Sequence, residues 1–167
     1  MLVLLAQQGD RAALDELLER SAPRLFRYIR GILSGSQHPA EDVLQETLFR
    51  IARKLPSLTE PLAFDRWTYR IATNETHRAV GQSLRRGLEE PLNEDLEIPE
   101  QPAPALTPEQ MQALIAELSP GSRAVLVLHY QEERPLDEIA DILSLPLGTV
   151  KSRLAYGLKC LRRKFQL

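Results

Sequence analysis

The chain has 167 residues, 43% of them hydrophobic and only 5% aromatic, which suits one ordinary domain or two small ones with cores of Leu, Ile, Val and Ala. Its 21 Lys and Arg against 23 Asp and Glu leave a net charge of -2, which would exclude a nucleic-acid partner only if the charge were spread evenly. It is not: residues 1–86 carry 13 basic and 10 acidic side chains, residues 87–109 carry 7 acids and no Lys or Arg, and residues 110–167 carry 8 basic and 6 acidic.

No apolar run approaches a membrane span, and the opening MLVLLAQQGD lacks the basic flank and small-residue cleavage site of a signal peptide. A cytoplasmic protein without membrane insertion is expected. The single Cys160 cannot form an internal disulfide, and its place beside an apolar stripe suggests a part-buried structural thiol.

In chain order, Asp10 can cap a helix whose apolar face runs Ala13, Leu14, Leu17 and Leu18, and the pattern resumes after Pro23 with Leu25, Tyr28, Ile29, Ile32 and Leu33. Gly31, Ser34, Gly35 and Ser36 should then loosen the chain. Pro39 opens the next helix, with Glu41 and Asp42 in the first turn where the helix dipole favours acids, and Leu44, Thr47, Leu48, Ile51 and Leu55 turned inward. Its other face exposes Asp42, Gln45, Glu46, Phe49 and Arg53. A large ring among charges fits either a contact surface or a solvated face with one stray Phe, and spacing alone leaves both open.

Ser57 to Pro61 reads as a short loop, followed from Leu62 by a long helix with Phe64, Trp67, Ile71 and Ala72 inward. Arg66, Arg70, Asn74, Arg78, Arg85 and Arg86 recur along it with Tyr69, Thr73 and Thr76, a set suited to a phosphate track with a few base contacts. Phe64 and Trp67 could stack on unpaired bases, although such a pair is more often core. Residues 87–106 hold Pro91, Pro99, Pro102 and Pro104 among acids, the composition of a linker.

Thr107, Pro108 and Glu109 begin another helix, with Met111, Leu114, Ile115 and Leu118 apolar; Ser119 and Pro120 cap and start the next, directing Ala124, Val125, Leu128 and His129 toward the core. The last stretch, PLDEIADILSLPLGTVKSRLAYGLKCLRRK, is a helix-turn-helix pattern. Leu136, Ile139, Ala140 and Leu143 form one apolar face, and Val150, Leu154, Leu158, Leu161 and Phe165 the other, with Pro146 in the first turn and Gly148 where a side chain would crowd the packing. That register turns Thr149, Lys151, Ser152, Ala155, Tyr156 and Lys159 outward, and from Lys151 to Lys164 there are six cations, Arg153 among them, and no acid. Such a helix fits the major groove of DNA.

Enzymatic chemistry has no foothold. His38, His77, His129 and Cys160 lack the paired spacing of a metal or nucleophile site, and no phosphate-cradling Gly-rich loop, HExxH or GxSxG pattern occurs, so neither catalytic residue, metal nor cofactor is expected.

The motifs taken together resemble the extracytoplasmic-function (ECF) group of bacterial RNA polymerase sigma factors, over nearly the whole chain. AEDVLQETLFRI is similar to the family's core-polymerase-binding helix, LAFDRWTYRIATNETHRA to its minus-10-reading helix, and DEIADILSLPLGTVKSRL to its minus-35-reading helix-turn-helix. The resemblance implies an all-α fold: a region-2-like domain over 1–86, a flexible acidic linker over 87–106, and a region-4-like helix-turn-helix domain over 107–167. It also implies partners, namely core RNA polymerase (beta-prime clamp helices and beta flap), promoter DNA and, as a switch, an anti-sigma factor. Asp42, Gln45, Glu46 and Phe49 would meet the polymerase. Thr59 and Glu60 of the Ser57–Pro61 loop, with Arg70, Asn74 and Arg78, would meet the minus-10 element. Thr149, Lys151, Ser152, Arg153, Ala155 and Tyr156 would meet the minus-35 element. Tyr156 stands where the family often has a basic residue, and Ala79 to Ser83 where it is often more basic. Two other readings stay open on the residues alone: a regulator reading an operator with its helix-turn-helix, and a protein-interaction module using the Phe49 face.

Overall fold

The computed structural model describes residues 1–34, 36–81, 107, 113 and 115–165, and these are all-α, without a strand. The chain begins with a short helix the residue pattern did not announce, α1 (Leu2–Gln7), whose Gln7 side chain donates to the carbonyls of Leu55 and Leu58 at 3.0 and 2.6 Å. Helix α2 (Arg11–Ile32) starts as expected, with Ala13 N–H donating to Asp10 Oδ1 at 3.0 Å. It runs through Pro23 and Gly31 without ending. Gly31 therefore does not loosen the chain: it lies at a close crossing, where an added Cβ would stand 3.0 Å from Val127 Cγ2.

Helix α3 (Ala40–Lys54) buries Ala40, Val43, Thr47 and Ile51, while Leu44 and Leu48 are only half-buried. Two 3₁₀ turns, Leu55–Ser57 and Pro61–Ala63, lead into α4 (Phe64–Val80), which starts two residues later than expected and leaves Leu62 fully exposed. Gly81, at φ 72°, follows its last turn.

In the C-terminal half, Ser119 caps α5 (Pro120–Leu126), which widens into a π turn over Val127–Gln131. Helix α6 (Leu136–Leu143) ends at Ser144 in the left-handed region, φ 53°, and α7 (Leu147–Phe165) follows, completing the expected helix-turn-helix. Gly148 faces open space, so the crowding inferred there belongs elsewhere: a Cβ on Gly157 would overlap Leu126 of α5.

One core runs through both halves. Leu25, Ile29 and Ile32 of α2, Ile51 of α3, and Val125, Leu126 and Leu128 beyond the acidic segment are all buried, and each such side chain contributes roughly 1.5–3 kcal/mol. Polar groups close the same interface. Arg123, 8% exposed, donates to the carbonyls of Ile32 at 2.7 Å and Ser34 at 2.5 Å, and to those of Ala116 and Leu118 at 3.2 and 3.1 Å. It thereby satisfies carbonyls at the C-terminal end of α2 that the helix itself cannot. Burial lowers its pKa from the ordinary arginine value.

Candidate nucleic-acid interface

Three surfaces were expected to carry function. The first is the outer face of α3. Asp42, Gln45, Glu46, Phe49 and Arg53 are exposed, and Phe49 stands 59% open among charges. The face follows from register, because Val43, Thr47 and Ile51 take the inward positions and Thr47 Oγ1 donates to Val43 O at 2.7 Å.

The second surface, the α4 track, divides. Arg70, Asn74 and Arg78 are exposed, as are Thr59 and Glu60 in the preceding loop. Tyr69, Thr73 and Thr76 are buried, against the expectation that they would face nucleic acid. Their hydroxyls are satisfied inside: Tyr28 OH and Thr73 Oγ1 lie 2.7 Å apart, and Thr73 and Thr76 donate to the carbonyls of Tyr69 and Ala72 at 2.8 Å each. Tyr28 and Tyr69 meet edge to face at 5.3 Å, and desolvation by burial raises both phenol pKa values. Phe64 is core, tilted against Trp67 at 6.1 Å. Arg85, Arg86 and the acidic linker fall outside the described residues.

Two arginines of the α4 track are engaged by the C-terminal half. Arg66 Nη1 lies 3.1 Å from Asp141 Oδ2, and Arg70 Nη2 donates to Asp141 O at 2.5 Å. Beside them, Tyr69 donates to Glu132 Oε2 at 2.6 Å, Arg27 lies 3.4 Å from Glu132, and Arg134 stacks over the Tyr69 ring at 5.0 Å. Asp65 lies 2.6 Å from Arg24 and 3.6 Å from Arg134, and the hydrogen bond from Arg24 holds its carboxyl below the usual range.

The third surface, α7, agrees in part with its expected register. Lys151, Tyr156 and Lys159 are exposed and Thr149 is half-buried, but Ser152, Arg153 and Ala155 are buried. That corrects the outward placing of Ser152 and Ala155. Small residues let a neighbouring element come close and are covered by it, as Gly157 shows against Leu126.

Residue patterns missed the side chains that tie these surfaces together: Arg50 and Glu75 between α3 and α4, and Arg123, Glu132 and Asp141 across the halves. A signal was present for Glu75. It falls on the inward register of α4, four residues after Ile71 and three after Ala72, and a carboxylate there requires a cation partner. Among the described residues no cluster of His, Cys, Asp or Glu could hold a metal ion, and no helix is long and apolar enough to cross a membrane.

Comparison with known proteins identifies the family. The chain matches sigma-70 region 2 over residues 17–86 and sigma-70 region 4 over residues 114–163. It is 37% identical to the ECF RNA polymerase sigma factor SigE of Mycolicibacterium smegmatis, over 92% of this chain and 63% of that one. It is 29% identical to ECF RNA polymerase sigma factor SigW of Bacillus subtilis, over 96% and 92% of the two chains. Its fold matches a structure of CnrH in complex with the cytosolic domain of CnrY, with a TM-score of 0.72 at 22% identity over 99% of this chain and 95% of that one. It also matches the sigma factor RpoE in complex with the anti-sigma factor NepR from Bartonella quintana, with a TM-score of 0.70 at 21% identity over 92% and 96%. At these identities the two structures speak for the fold alone. With both regions present in order, and relatives that are ECF RNA polymerase sigma factors, the chain belongs to the sigma-70 family, in its extracytoplasmic-function group.

Proposed function

We propose that this chain binds core RNA polymerase in the cytoplasm and directs initiation at promoters read through minus-10 and minus-35 elements, acting by binding and not by catalysis. The N-terminal half, 1–86, meets the beta-prime clamp helices with Asp42, Gln45, Glu46 and Phe49 and the minus-10 element with Thr59, Glu60, Arg70, Asn74 and Arg78. Residues 87–106 are the linker. The C-terminal half, 107–167, meets the beta flap and the minus-35 element, led by the exposed Lys151 and Tyr156. The observation that carries the reading is the exposed polar face of α3, with Phe49 at its centre, in a chain that also ends in a basic helix-turn-helix.

The packed arrangement adds a requirement. Arg70 and Arg66 are held by Asp141 of the other half, so the halves must part before both elements can be read. An anti-sigma factor, the kind of partner bound to the Bartonella quintana relative, would act by holding them together. Reconstituted transcription tests the reading: core polymerase plus this chain should give discrete transcripts from a subset of genomic fragments, absent without the chain. A chain that binds duplex DNA alone, and adds no transcripts to core polymerase, would instead be an operator-binding regulator.

A further inference from the structure

Between α3 and α4 lies a row of four charges: Glu46, Arg50, Glu75 and Arg78. Glu75, 5% exposed, accepts from Arg78 Nη1 with both carboxylate oxygens, at 3.2 and 2.9 Å, and its Oε2 lies 2.9 Å from Arg50 Nε. Arg50 Nε also lies 2.8 Å from Glu46 Oε1. Arg50 Nε is thus within ion-pair distance of both carboxylates, and this cation is shared between them. The row's ends are open: the Glu46 side chain is 49% exposed and that of Arg78 61%. Glu75 and Arg78 also wall two clefts, one of about 220 Å³ shared with Asp42 and Glu46, the other of about 740 Å³ shared with Lys54 and Asn74.

We propose that Glu75 is a positioning residue that couples the polymerase-facing surface to the promoter-facing one by competition for cations. This rests on the reading of Glu46 and Arg78 given above. When a cationic partner group engages Glu46, Arg50 is left to Glu75 alone. Glu75 is then neutralised without Arg78, and the Arg78 guanidinium is released to phosphate. The relay is reciprocal: phosphate that draws Arg78 away commits Arg50 to Glu75 and leaves Glu46 open to the polymerase.

The test is anisotropy of a short, labelled, mixed-sequence single-stranded DNA with the full-length chain at low salt, because a phosphate contact is independent of sequence. Arg78→Gln should weaken binding. Glu46→Gln imitates engagement by the partner and should tighten it on the order of fivefold, as should Glu75→Gln. The double variant should bind no tighter than Glu75→Gln alone. Glu41→Gln, the same charge change on the same helix, should have less than half the effect. If Glu75→Gln does not fold, Arg50→Gln interrupts the row instead, and in that background Glu46→Gln should act no more strongly than Glu41→Gln. Glu46→Gln that acts no more strongly than Glu41→Gln, or undiminished in the interrupted background, overturns the relay and leaves the role of Arg78 standing. Arg78→Gln without effect overturns both.

Discussion

Asp65 shows how single side chains hold this molecule together. The hydrogen bond from Arg24 keeps its carboxyl below the ordinary carboxylate range, so the unfolded chain takes up that proton at higher pH than the folded one. The stability it contributes is complete above the ordinary carboxylate value and is lost as pH falls through the lowered folded value. Asp65→Asn should therefore lower the melting temperature at pH 7, modestly because the side chain is 50% exposed, and the gap from wild type should close in acid. Thermal melts across pH read this directly, and a gap that persists in acid would assign the effect to packing. Gly157 makes a second residue-scale case. Gly157→Ala forces a methyl group into the buried Leu126, an overpacking expected to cost about 1–3 kcal/mol in denaturant unfolding.

Helices were legible in the residue pattern wherever one face meets a core. The 3.6-residue spacing located α2, α3, α4 and the helix-turn-helix, and the outer face of α3 emerged with the side chains spacing assigned to it. The pattern failed where a polar residue was core. Thr73 and Thr76 return their hydroxyls to the helix backbone, and Tyr69 finds Glu132 from the other half, a partner 63 residues away that periodicity cannot see. It failed too at Ser152 and Ala155, whose small side chains read as surface and serve as contact. The faces that remain exposed can be tested as elements. Asp42→Ala with Gln45→Ala should weaken binding to core polymerase in a pull-down while moving stability by no more than about 0.5 kcal/mol, because both point away from Val43 and Ile51. On α7, Lys151→Glu places an anion on an exposed position of the basic helix. It should abolish initiation at a minus-35-dependent promoter in run-off assays and leave polymerase binding intact.

Taken whole, the molecule is closed by contacts that its proposed task has to undo. Arg123 seated on the end of α2, Glu132 between Arg27 and Tyr69, and Asp141 on Arg66 and Arg70 all join one half to the other. None of this was visible in the chain, since each contact pairs residues far apart in sequence. Gly31 and Val127 offer the means to lock it. A Cβ at position 31 would lie 3.0 and 3.2 Å from the two Val127 methyl groups, close enough for a pair of cysteines to bridge. The decisive measurement is transcription by core polymerase with the Gly31→Cys, Val127→Cys chain, carrying Cys160→Ser, in oxidised and reduced forms. The reduced form should initiate at a target promoter as wild type does, and the oxidised form should not. Equal initiation by the bridged chain would contradict the account, showing that promoters are read without the halves parting.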